Sequence, residues 1–171
     1  GWSQFGYEHL LPADAVSDAA LDVFAQHSDR DVLLLVHYMD PHLPYLEGWQ
    51  YRWRWAGLEP DIGMYRSRLY ELSPDDPELP AIRQHAIDRY DQNIRFVDDE
   101  LYRVLAAAGP DSSVILFSDH GEEFWDHGSF EHGHTFYDEV LRVPLIVRSP
   151  RIGPSRIDAP ASLLDVTPTL L

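Results

Sequence analysis

Residues 112–122 read Ser-Ser-Val-Ile-Leu-Phe-Ser-Asp-His-Gly-Glu. The unbroken apolar run from Val114 to Phe117, bounded by Ser, predicts a strand over 112–119 that is covered on both faces. At its carboxyl end a carboxylate, an imidazole and a glycine follow in succession. Asp119 offers a hard oxygen and His120 a nitrogen, while Gly121 permits a sharp turn that can aim both at one cation. The plainer alternative is an Asp that caps the next segment, with its neighbouring His hydrogen-bonded to it.

Working outward, the same architecture repeats. Upstream, Ile82, Ala86, Tyr90, Val97, Leu101 and Leu105 keep a helical period, and Gly109-Pro110 ends it, so a helix is expected over 81–108. Before it, residues 31–39 (DVLLLVHYM) predict a second buried strand, and residues 17–27 a short helix with Ser17 as its N-cap. Downstream come a loop rich in His and acids over 120–134, an amphipathic turn over 135–142 and a strand over 143–149. The start of a helix is expected over 162–171. Helices alternating with continuously apolar strands predict an α/β layered fold with a largely parallel central sheet. Residues 46–80, with seven Gly and Pro, are expected to be an irregular insert or lid.

Composition narrows the function. The 171 residues carry 29 acidic and 13 basic groups, a net charge of −16. That balance argues against nucleic acid as the partner. The apolar run Val32–Val36 is five residues long, far short of the roughly 18 needed to span a bilayer. There is no Cys, so no thiol nucleophile, disulfide or Cys-ligated metal lies in this sequence. Every basic residue is Arg.

Six of the nine His fall in two windows, each opening at the carboxyl end of a predicted strand. Loops converge at that edge in open α/β sheets and bind ligands there. The first window holds His37 and His42. In Asp40-Pro41-His42-Leu43-Pro44-Tyr45 the two prolines stiffen the turn around His42, which suits a residue held at a fixed distance from a substrate. An ordinary Pro-rich surface turn is the alternative. The second window holds His120, His127, His132 and His134. His37, Glu122 and His127 are read as residues that orient other side chains, Glu122 being equally readable as surface charge.

These blocks together resemble the sulfatase family of the alkaline phosphatase-like superfamily: VLLLVHYMDPHLPY, VILFSDHGEEFWDHGSFEHGHTFYDEVLRVPLIVRSP and SLLDVTPTLL, in the order that the family has them. The resemblance implies hydrolysis of a sulfate ester with one divalent cation, usually Ca2+, though Mg2+, Mn2+ or Zn2+ could serve, and with a formylglycine nucleophile. Asp119 and His120 match metal-ligand positions, and His42 matches the His that contacts the sulfate group or the leaving oxygen. The resemblance also makes residues 1–171 part of one catalytic domain. Its nucleophile-bearing half is expected upstream, and the fragment alone is expected to be inactive. The implied substrate is a sulfated small molecule or carbohydrate.

Two departures stand out. The only look-alike of the family's nucleophile motif, Ile152-Gly153-Pro154-Ser155-Arg156, has Ile where an oxidisable residue is needed. Many members also place a catalytic Lys after the Asp-His-Gly motif, and this chain has none. His132 and His134 fall nearest that position, and one of them is expected to take its role as proton donor.

Residues 49–55 (WQYRWRW) put aromatics on one face of an extended segment and Gln50, Arg52 and Arg54 on the other. An edge strand is one reading. The other is a lid in which Trp53 and Trp55 meet a sugar or aryl group and Arg52 or Arg54 meets an anion. The sequence leaves two further functions open. One is a phosphodiesterase, phosphonate monoester hydrolase or phosphoethanolamine transferase of the same superfamily. The other is a non-catalytic metal-binding fragment.

Overall fold

A computed structural model describes residues 11–43, 45 and 66–170. It divides into two compact units, Gly1–Ala107 and Ala108–Leu171.

The first unit is built on two helices, α1 (Ala13–Gln26) and α3 (Leu79–Ala108), with a short α2 (Arg66–Glu71) between them. α1 begins five residues earlier than the Ser17 cap predicts, because its N-terminus is satisfied from elsewhere. Pro12 occupies the N-cap position without a side-chain hydrogen bond. Asp40 instead reaches in, and its Oδ1 accepts the Ala13 N–H at 3.1 Å. A carboxylate there satisfies an orphan donor and complements the helix dipole. Burial pushes the Asp40 carboxyl above its ordinary value, with the Ala13 N–H opposing the shift. Ser17 is fully buried mid-helix; its hydroxyl lies 2.9 Å from the Tyr38 hydroxyl and donates to the Glu100 carbonyl at 3.3 Å.

α3 buries Ile82, His85, Ala86, Gln92, Asn93, Phe96, Glu100 and Val104, largely one helical face. Ala13 and Phe96 form a small core, with Tyr38 and Val97 packed on it. Arg103 ties the helices together through Asp18 at 2.6 Å. The expected strand over 31–39 is not formed: the segment has no strand partner among the described residues, and Leu33 and Leu35 are 88% and 82% exposed. No helix among the described residues is long and apolar enough to cross a membrane.

In the second unit β1 (Val114–Phe117) pairs with β4 (Leu145–Arg148). The register runs from Val114 opposite Arg148 to Phe117 opposite Leu145. This pair is antiparallel, as is the second pair, β2 (Glu123–Phe124) with β3 (Phe130–Glu131). The expectation of a largely parallel sheet is therefore corrected for the described strands. Parallel pairing needs a long crossover, usually helical. The chain between β1 and β4 instead folds as a hairpin and the single turn α4 (Asp138–Leu141), and it returns in the opposite sense. Two-sided burial is not met either, since Leu116, Phe117, Ile146 and Val147 are all exposed.

The hairpin lies inside what reads as a loop. Trp125 N–H donates to the Ser129 carbonyl at 2.7 Å. Trp125 stacks on Phe130 with centroids 4.4 Å apart, and Phe124 meets Phe130 edge-on. Gly128 supplies the positive φ of 88° that the turn needs. Trp125 and Glu131 also take positive φ, at 58° and 74°. Such strained positions in non-glycine residues gather at functional sites. The chain ends in a capping box at Ser162, a 3-10 turn (Leu163–Asp165) and α5 (Val166–Leu170).

Candidate active site

The candidate site grows from the end of β1. Ser118 Oγ donates to the His120 carbonyl at 2.6 Å, and Asp119 Oδ1 accepts the His120 N–H at 3.1 Å. These local bonds bend the chain directly after the strand. The bend is then pinned to α4: Gly121 N–H donates to the Val140 carbonyl at 2.7 Å, and Glu122 N–H to the Glu139 carbonyl at 3.1 Å. Only glycine fits at 121, because a Cβ there would run into the Glu139 carbonyl oxygen.

The turn aims His120 as a ligand would need. Its Nδ1 lies 2.8 Å from the Gly121 carbonyl. A carbonyl can only accept, so Nδ1 carries a proton and Nε2 is the ring nitrogen turned towards Asp119. The Asp119 carboxylate, 73% exposed, lies 3.8 Å from that Nε2. A hard oxygen and an imidazole nitrogen at this spacing fit a divalent cation.

His132 comes from the far end of the hairpin and stacks on His120, with ring centroids 3.7 Å apart. Its Nδ1 donates to Glu122 Oε1 at 2.8 Å, and the Glu122 carboxylate is almost wholly buried. This hydrogen bond raises the His132 pKa above its ordinary value, against the opposing effect of burial.

A second group surrounds Glu123, which is fully buried. Its oxygens accept the backbone N–H groups of His127 at 3.2 Å and Ser129 at 3.1 Å, and the hydroxyls of Ser129 at 2.8 Å and Thr135 at 2.9 Å. Burial by itself would raise this carboxyl, but the four donors outweigh it and hold the group below its ordinary value. His127 donates from Nδ1 to Glu139 Oε1 at 2.6 Å and stacks on Tyr137 at 3.6 Å between centroids. His134 Nε2 lies 3.2 Å from Ser129 Oγ.

Of the residues singled out from the sequence, Asp119, His120, Glu122 and His132 thus form one group. His127 and His134 flank Glu123. His42 belongs to the first unit, where its Nδ1 donates to the Leu43 carbonyl at 2.8 Å. His37 is exposed. Arg52, Trp53, Arg54 and Trp55 lie outside the described residues. Ser129, Tyr137 and Glu139 were not singled out from the sequence. Their only signal is proximity to the His-rich loop, because the contacts that give them a role span 5 to 12 residues.

A solved relative shares this architecture: a YidJ sulfatase structure from Bacteroides fragilis superimposes with a TM-score of 0.61 at 21% identity. The match covers 81% of this chain and 31% of the other. The fold is that of the sulfatases, mixed helix and sheet, with a small and incomplete sheet in this chain. The sulfatase sequence family matches residues 8–171, so the chain belongs to the sulfatase family. It is 30% identical to the uncharacterized sulfatase YidJ of Escherichia coli K12, over 93% of this chain and 35% of that protein. It is also 27% identical to a sulfatase of Formosa agariphila, over 95% of this chain and 36% of that protein. A choline-sulfatase of Rhizobium meliloti is 29% identical over 84% of this chain and 31% of its own length. The chain therefore spans about a third of the length of the relatives it matches.

Proposed function

We propose that this chain contributes the leaving-group and metal side of the active site of a sulfuric ester hydrolase of arylsulfatase type. The observation that carries this reading is the buried Glu122 carboxylate behind His132, next to His120 and Asp119. Hydrolysis of a sulfate ester leaves an alkoxide or phenoxide, which needs a proton as the S–O bond breaks. His132 is suited to give it. The carboxylate on Nδ1 favours the imidazolium, which makes Nε2 a donor. Asp119 and His120 would hold one divalent cation, most simply Ca2+, with Mg2+, Mn2+ and Zn2+ as alternatives. When bound, it supplies positive charge for the sulfate oxygens. His42, on its Pro-flanked turn, is assigned to the sulfate group itself.

In this reading the nucleophile, a formylglycine, lies outside these 171 residues, and the chain by itself turns nothing over. The substrate is a sulfated small molecule or carbohydrate, with Trp53, Trp55, Arg52 and Arg54 as candidates for gripping it. Phosphorus-ester chemistry is the second reading. It is favoured by the group Glu123, His127 and Glu139, whose ligand atoms all lie within 4.8 Å of one another and could take a second metal. The deciding experiment assays the full-length protein on 4-nitrophenyl sulfate and bis(4-nitrophenyl) phosphate, with bound metal counted in the same sample. Faster sulfate hydrolysis with one metal supports the proposal. Faster phosphodiester hydrolysis with two metals overturns it, and no turnover of either leaves the non-catalytic reading.

A further inference from the structure

We propose that Arg89 is a positioning residue for His42: from α3 it holds the carbonyl that ends the His42 turn, and so fixes where the imidazole stands. The turn has two steps that share His42. The His42 N–H donates to the Met39 carbonyl at 3.0 Å, and the His42 carbonyl accepts the Tyr45 N–H at 3.1 Å. Tyr45 is thus one hydrogen bond away from His42, and whatever sets the Tyr45 backbone is passed on to it. That backbone is in an uncommon state. Tyr45 has a φ of 55°, in the left-handed region that bulky side chains avoid, and the residue is wholly buried. Such a conformation persists only where its surroundings over-determine it.

Two successive residues of α3 supply that hold. The Arg89 guanidinium donates to the Tyr45 carbonyl at 3.1 Å, a charge-assisted bond to an acceptor that burial cuts off from water. Tyr90 meets the Tyr45 ring edge-on, with centroids 5.8 Å apart and planes at 78°. The upstream end of the same turn is held by Asp40, whose carboxylate accepts the Ala13 N–H of α1 at 3.1 Å. His42 is thereby suspended between anchors on two helices. A surface imidazole needs no such hold, whereas one that meets a substrate must stay within about 0.5 Å of its productive place. The proposal rests on the reading of His42 as the residue that meets the sulfate group.

A double-mutant cycle in the full-length protein tests it, read by kcat/KM for 4-nitrophenyl sulfate and by hydrogen exchange of the His42 and Tyr45 amides. Arg89→Ala is expected to lower kcat/KM by about 10- to 100-fold, the scale of an ångström-sized misplacement. It should also speed exchange at His42 and Tyr45 by at least about tenfold while leaving α3 protected. In a His42→Ala background the same substitution should cost less than about twofold, because the residue it positions is gone. An Arg89 that served stability alone would cost the same in both backgrounds. If Arg89→Ala does not fold, Arg89→Lys takes its place. Its shorter side chain donates as a point charge rather than a fork, and its smaller loss should likewise vanish without His42. The proposal is overturned by equal losses in the two backgrounds, or by an unaltered rate where His42→Ala is costly. If His42→Ala itself costs nothing, the assignment of His42 to the sulfate group fails, and exchange decides alone. Faster exchange at His42 and Tyr45 then upholds the hold of Arg89 on the turn, and unchanged exchange overturns it.

Discussion

The imidazoles of His120 and His132 lie face to face, 3.7 Å between centroids and 27° between planes, yet their Nδ1 protons go to opposite kinds of acceptor. His120 gives its proton to a neutral carbonyl, that of Gly121, and His132 gives its proton to the Glu122 carboxylate, both at 2.8 Å. Two cationic rings at this separation would repel by an amount on the order of 4 kcal/mol at a surface-like dielectric. The Glu122 carboxylate raises the His132 pKa, so of its two protonation states the charged one is favoured on that ring.

From this assignment His132→Ala should cost most where the leaving group is poor. In the full-length protein kcat for an alkyl sulfate should fall by about 10²–10⁴. The loss for 4-nitrophenyl sulfate should be much smaller, because nitrophenolate departs without a proton. Equal losses on the two substrates would show that His132 is not the acid.

Metal content separates the two rings independently. Asp119→Ala and His120→Ala should each weaken metal retention by at least roughly tenfold, as even outer partners of a metal site often do. Glu122→Gln, which removes the charge behind His132, should leave the metal in place. Elemental analysis after dialysis against a weak chelator reads both.

Gly121→Ala should destabilise the protein without touching a titratable group. The added Cβ meets the Glu139 carbonyl oxygen, and the backbone hydrogen bond from Gly121 to Val140 must lengthen to relieve it. A cost of about 1–3 kcal/mol is expected, measurable by urea denaturation. A variant as stable as the wild type would mean that the turn and α4 are not in contact.

Asp40 gives a pH-dependent test in the first unit. Asp40→Ala should cost about 1 kcal/mol for the lost cap on Ala13. The sign for Asp40→Asn differs. Because burial raises this carboxyl in the folded state, its favourable balance is complete below the ordinary value of 3.8 and is lost as pH rises through the folded-state value. The neutral Asn escapes that loss. Its stability relative to wild type should improve between about pH 4 and pH 7, as read by denaturation at both.

Local pattern carried part of this structure openly. The period of Ile82, Ala86, Tyr90 and Val97 is enough to place α3 within two residues of its observed start at Leu79. The apolar runs locate β1 and β4, and the Asp119-His120-Gly121 turn follows from residue types alone. Strand direction was not legible. Continuous apolarity reports two-sided burial, a property of the layers that cover a sheet, and says nothing about which neighbour a strand pairs with. The start of α1 was hidden for a related reason, since its cap comes from Asp40, 27 residues away. The hairpin of Phe124, Trp125 and Phe130 has two-residue strands, too short for any period to show. Glu123, beside Glu122, is equally readable from sequence as surface charge or as a partner that orients a His ring, because its four donors, supplied by residues 127 to 135, come together only on folding.

The two backbone bonds between the Gly121 turn and α4 have a consequence for cooperativity. A helix of four residues such as α4 does not persist alone, so it exists only while Gly121 and Glu122 hold its carbonyls. The turn, in turn, is shaped by that grip. Neither can open without the other, and the His127 ring, held by the Glu139 side chain, is released in the same event. The amides of Gly121 and Glu122 therefore exchange their hydrogens at the frequency of this joint opening, which makes them a local clock for how often the site comes apart.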